Sequence, residues 1–135
     1  VGSFCIDAGG DIVYEDRQRR MLSVGLEDPQ DSEKVVGIVP LLDQSMCGSS
    51  GNRRTWGDFH HIIDAETLQS PKHISAVWVV AKTAMLADAL TTALFFVSAE
   101  LLSAQHSFEY LLLFPDRSAQ RSSGFNTELF TTQHT

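Results

Sequence analysis

At 135 residues, 43% apolar and 20% charged, the chain is long enough for one domain with a sizeable core, too short for two ordinary ones, and too apolar to be disordered. Ten basic against seventeen acidic residues leave a net charge of −7, which argues against nucleic acid as a partner, because such binders carry a basic footprint. The longest apolar runs, such as Ala93–Val97, fall far short of the ~20 residues that a membrane span needs, and no charged-then-apolar leader is visible.

The chain opens on Val1, which fits a processed chain or a fragment. Short apolar or β-branched runs at Phe4–Ala8 and Asp11–Tyr14 predict two strands around a tight turn at Gly9-Gly10. Arg17, Arg19 and Arg20, beside Glu15 and Asp16, read as a solvated turn. Further strands are expected at Arg20–Gly25 and Val35–Leu42, with an exposed loop over Glu27–Lys34, where Pro29 sits among four acidic residues. Gly48–Gly57 is polar and glycine-rich and is expected to be a loop. Phe59–Asp64, Ile74–Ala81 and Glu109–Phe114 again read as strands. Pro115–Ser123 reads as a polar turn region before a short apolar return at Phe125–Phe130. Cys5 and Cys47 lack metal-ligand spacing and are expected to be small packing residues.

One segment breaks the strand rhythm. From Thr83 to about Ala104 the composition favours helix, with Met85, Leu86, Ala89, Leu90, Ala93, Leu94 and Val97 as one apolar stripe and Thr83 as its N-cap. The pattern predicts an α+β fold: a largely antiparallel sheet with one long helix packed on a face. It predicts one domain over residues 1–130 and a frayed tail at 131–135.

Four groups of residues invite chemistry. Asp88 and Thr92 stand four apart on one helix face, so a carboxylate and a hydroxyl offer two hard oxygen ligands of the kind Mg²⁺ accepts; the alternative is a solvated helix stripe. His60 and His61 lie in a strand-like run and point to opposite faces, so only one of them can serve a site, as proton donor, acceptor or shuttle. The loop Gly48-Ser49-Ser50-Gly51-Asn52 offers consecutive backbone N–H groups able to wrap a phosphate, with Arg53-Arg54 adding positive charge; a plain loop is the other reading. Gly9-Gly10-Asp11 permits close backbone approach to a ligand, or simply makes a hairpin.

The order of these motifs is more specific than any one of them. Gly9-Gly10-Asp11-Ile12 comes first, then Val24-Gly25-Leu26-Glu27-Asp28-Pro29 and Ser49-Ser50-Gly51. His60-His61-Ile62-Ile63-Asp64 and Ala87-Asp88-Ala89-Leu90-Thr91-Thr92-Ala93 follow. The succession resembles the C-terminal half of the FAD:protein FMN transferase (ApbE) family. What the resemblance implies is a Mg²⁺-dependent phosphoryl transfer that cleaves FAD, releases AMP and attaches FMN to a threonine of an acceptor flavoprotein. It implies Asp88 and Thr92 as metal ligands, His61 as the active-site histidine, Ser50 and Gly51 along the dinucleotide, and Gly9, Gly10 and Asp11 as support for the pocket.

The departures from the family pattern are local. The family follows His-Ile-Ile-Asp with Pro, a basic residue, Thr and Gly, whereas here Asp64 is followed by Ala65-Glu66-Thr67-Leu68. Loss of the Pro and Gly affects the turn, and Glu66 adds negative charge near phosphates. The Lys-Gly-Tyr-Ala-like run of the family's N-terminal half is absent from these residues, and so is a flavin-acceptor sequence. These departures support an alternative: a truncated, non-catalytic relative that binds flavin or a partner. An uncovered sheet would favour a homo-oligomer or pairing with an N-terminal half. The resemblance also suggests the bacterial cell envelope or periplasm.

Overall fold

The computed structural model describes residues 2–51, 55–56, 59–60 and 62–130. β1 (Ser3–Ala8) and β2 (Asp11–Asp16) form a hairpin, as do β3 (Leu22–Asp28) and β4 (Asp31–Leu41). β5 (Gln44–Ser50) is followed by the short pair β6 (Thr55–Trp56) and β7 (Phe59–His60), then by β8 (Ala76–Ala81). Two helices, α1 (Ala84–Ala93) and α2 (Ala99–Ser103), precede β9 (Glu109–Leu113), β10 (Ala119–Arg121) and β11 (Glu128–Leu129). The main sheet is antiparallel with order β1-β2-β5-β8-β9-β10, and a second sheet has order β11-β4-β3. This is the expected α+β class. No helix among the described residues is long and apolar enough to cross a membrane.

The period of two along each strand sorts the apolar side chains into two cores. In β8, Ala76, Trp78 and Val80 join Ile12, Met46, Leu111 and Leu113 beneath the small sheet, which contributes Val24, Leu26, Val36, Val39 and Leu41. The alternate residues Val77, Val79 and Ala81 face Ala87, Leu90, Leu94, Phe95 and Ala99 of the helical layer. Small sheet, main sheet and helices therefore make three layers, with β8 buried on both faces.

The expected long helix is instead two. α1 ends at Leu94, where Phe95 and Phe96 donate to carbonyls only three residues back, and Ser98 turns extended to cap α2 through Leu101 N–H. The fully buried Phe95 anchors this turn, and Ser98 is a residue whose hydroxyl favours capping over continuation. Thr83 caps α1 as expected, accepting from Leu86 N–H at 3.2 Å. The buried line is Ala87, Leu90, Thr91 and Leu94, whereas Met85, placed in the expected stripe, is 82% exposed.

Three regions expected to be loop or turn contain strand among the described residues. Pairing of β3 with β4 runs through two bulges to Asp28 and Asp31, leaving only Pro29-Gln30 as the turn. β5 takes in Gly48, Ser49 and Ser50, and β10 lies inside the expected turn region after Pro115. Polarity there reports solvent, reaching both faces of β4 over Ser32–Val35, and a paired strand tolerates such exposure.

Candidate functional site

The β1–β2 turn needs two residues with positive φ, and glycine takes that conformation without a Cβ penalty: φ is 71° at Gly9 and 104° at Gly10. Gly10 N–H donates to Asp7 Oδ1 at 2.9 Å, which braces the tip. β2 pairs with β5 in a register that joins Ile12 to Met46, so Asp11 comes beside Cys47 and the glycine tip beside Gly48–Ser50. The glycine hairpin and the end of β5 thus form one rim at the end of the main sheet.

On one side of this rim, under the small sheet, lies a cavity of about 880 Å³. Gly9, Gly10 and Ser50 line it at the rim, Ile12, Met46 and Trp78 form its floor, and Leu22–Gly25, Glu27 and Pro29 form its β3 wall. Gly48 is required here by close approach, since a Cβ would stand 2.8 Å from Trp78 Cδ1. The walls carry two carboxylates, Asp7 and Glu27.

On the other side lies α1. Ser49 donates to Thr91 Oγ1 at 3.0 Å, and the fully buried Thr91 hydroxyl donates to the Asp88 carbonyl at 2.7 Å. This chain fixes α1 against the rim and leaves the side chains of Asp88 and Thr92 exposed. The buried Cys47 sulfur sits 3.6 Å from the Ala84 carbonyl. Burial pushes the Cys47 thiol up to about 12, and the charge and hydrogen bond of Asp11, with the charge of Asp88, push the same way. Asp11 and Asp88 therefore lie around one neutral sulfur.

The structure brings Gly9, Gly10 and Ser50 together at the cavity and sets Asp11 and Asp88 on the helix side of the same rim. Gly51, whose N–H donates to the Ser75 carbonyl at 3.3 Å, continues β5 outward. His61 lies outside the described residues, as do Arg53-Arg54 and the tail after Phe130. No group of three or more His, Cys, Asp or Glu able to hold a metal occurs among the described residues. Asp88 and Thr92, both exposed on α1, offer a carboxylate and a hydroxyl, two hard oxygen donors of the kind that fits a largely hydrated Mg²⁺.

Beyond the histidines, Asp64–Leu68 forms a turn organised by the Asp64 carboxylate. Asp64 Oδ1 accepts from Glu66 and Thr67 N–H, and Leu68 N–H donates to the Asp64 carbonyl at 2.8 Å. Leu68 takes φ of 57°, the left-handed conformation a glycine would adopt freely, and its side chain is 71% exposed. Trp78, Glu27 and the Ser49–Thr91 pair are site features the sequence reading missed. Their only sequence signal was position: Glu27 and Thr91 stand inside the motifs already singled out.

The fold is shared with solved flavin transferases. The crystal structure of the ApbE protein from Thermotoga maritima matches with a TM-score of 0.79 and 24% identity, over 91% of this chain and 43% of that one. The flavin transferase ApbE from Vibrio cholerae matches at 0.59 and 18%, over 95% and 41%. The apo flavinyl transferase ApbE from Pseudomonas stutzeri matches at 0.63 and 20%, over 97% and 43%. The chain thus spans about two fifths of the length of these structures. No curated protein sequence matches it. The sequence profile of the ApbE family matches residues 1–111 of the 135, and the chain belongs to that family.

Proposed function

We propose that the chain is the C-terminal portion of a Mg²⁺-dependent FAD:protein FMN transferase, which moves FMN from FAD to a threonine of an acceptor flavoprotein and releases AMP. The observation that carries this reading is the shared rim: the glycine hairpin and Ser49–Gly51 separate an aromatic-floored cavity from Asp88 and Thr92. A dinucleotide laid across the rim puts a ring system over Trp78 and Met46 and its pyrophosphate over the glycine tip, where no side chain blocks close approach. Glu27 on the β3 wall disfavours phosphate deep in the cavity, which favours the ring end there. When bound, Mg²⁺ neutralises charge on the pyrophosphate. Asp88 and Thr92 would hold it, Gly9 and Gly10 would let the backbone approach the phosphates, and Ser50 and Gly51 would orient them. Asp11 would set the negative field beside Asp88. His61 would act on the proton of the incoming threonine.

The Ala65-Glu66-Thr67-Leu68 departure supports a second reading, a non-catalytic relative that binds flavin or a partner protein. Release of AMP in the presence of an acceptor peptide separates the two. Pairing with an N-terminal half, self-association, and a place in the bacterial envelope belong to the same proposal.

Titration of FAD by calorimetry, with and without Mg²⁺, tests the site. Binding is expected to require Mg²⁺ and to weaken at least about tenfold in Asp88→Ala, the effect of losing one charged metal ligand. The thermal midpoint of that variant is expected to stay unchanged, because the side chain is exposed. Equal affinity of wild type and variant would remove the metal site.

A further inference from the structure

We infer that Arg117 and Asp28 form a positioning clamp that fixes the β3 wall of the cavity. The two residues are 89 apart in sequence. Arg117 Nη1 donates to Asp28 Oδ1 at 2.8 Å and Nη2 to Oδ2 at 2.6 Å, a bidentate geometry that sets both distance and orientation. Asp28 is buried, and its Oδ1 also accepts Gln30 N–H at 2.9 Å, so one carboxylate organises the whole Pro29-Gln30 turn. The residues on either side of it, Glu27 and Pro29, both line the cavity.

The β3–β4 tip has reason to need such a tie. Its ladder is interrupted by register shifts on both sides of Glu27, so strand pairing alone holds the wall weakly. The clamp reaches it from the β9–β10 hairpin of the main sheet, across the interface of the two sheets. Arg117 is held there in a left-handed conformation (φ 74°), with its N–H on the Phe114 carbonyl at 2.9 Å. The guanidinium beside Asp28 keeps that carboxyl below its ordinary range and therefore ionised. Arg117 also stands beyond residues 1–111, the span matched by the family profile. Arg117 comes from the return strands, whereas its partner Asp28 stands inside the Val24–Pro29 motif.

The ligand side of this inference rests on the FAD reading; the wall side does not. The experiment therefore has two arms, run on the full chain at a temperature where every variant is folded. The first follows amide exchange of residues 26–31 in Asp28→Asn, Arg117→Gln and the double variant. Faster exchange confined to that turn is expected, and unchanged exchange overturns the clamp. The second measures FAD affinity with Mg²⁺ in the same variants and in Arg117→Lys. Each single variant is expected to bind about tenfold more weakly, the double variant no worse than either, and Arg117→Lys in between, because it keeps charge but loses the fork. Unchanged affinity, or losses that add in the double variant, overturns the claim that the clamp shapes the ligand site. A wild type that binds no FAD sinks the flavin reading, and the exchange arm still decides the clamp.

Discussion

β8 and β1 are six-residue strands of one sheet, yet they live in opposite surroundings. All six side chains of β8 are buried, three under the small sheet and three under the helices, while five of the six in β1 are exposed. β1 instead contributes Cys5, Asp7 and the glycine turn to a cavity. The contrast teaches where this fold keeps its stability and where it leaves freedom for chemistry. The central strands carry the hydrophobic burial, so the outer hairpin can hold acids and glycines without unfolding the domain.

The sharpest way to break this contrast is to cut the same kind of atom from each side. Leu111, opposite Trp78 in the register and fully buried, should cost about 2–5 kcal/mol as Leu111→Ala in denaturant unfolding. Ile6→Ala on β1, where the side chain is 56% exposed, should stay within about 0.5 kcal/mol. Comparable losses at the two sites would dissolve the distinction.

A smaller effect is expected at the seam between the regions. Gly48→Ala sets a methyl group against the Trp78 indole at 2.8 Å, so the ring must shift, and should cost about 1–3 kcal/mol. Because Trp78 also lines the cavity, its fluorescence maximum should shift in the folded variant. An unshifted spectrum with full stability would mean that the floor is loosely packed.

The smallest effect should be a gain. Leu68 is exposed and left-handed, so Leu68→Gly relieves backbone strain of about 1–2 kcal/mol against an unfolded-state entropy of roughly 0.5–1 kcal/mol. A net gain of about 0.5–1 kcal/mol in thermal or chemical unfolding is expected. A loss would show that the Leu68 side chain makes a contact worth more than the strain.

Much of this was legible in the residues themselves. Period-two runs placed β1, β2, β8 and β9 to within a residue or two, Gly9-Gly10 marked the hairpin, and Thr83 marked the start of α1. These signals are local: side-chain alternation, positive φ and a cap each need only near neighbours in sequence. The four-residue spacing likewise put Asp88 and Thr92 on one helix face. The motif order identified the family, because a series of short runs in fixed sequence is far more specific than any member.

Other features were illegible for one reason. Gly48–Ser50 reads as a loop by composition, yet β8 supplies it a partner ladder through Trp78, Val77 and Ala76. Glu27–Lys34 reads as a loop because its outward face is acidic, and polarity records exposure without recording backbone conformation. The helix stripe lay on a neighbouring face, since only packing on β5 and β8 decides which apolar side chains are buried. The Arg117–Asp28 pair spans 89 residues, and the Ser49–Thr91 pair 42. By itself the sequence determined the strand periods, the turn chemistry, the helix cap and the family. Tertiary structure alone decided which residues meet at the rim, because contacts between distant segments depend on strand order and register, which local propensity does not encode.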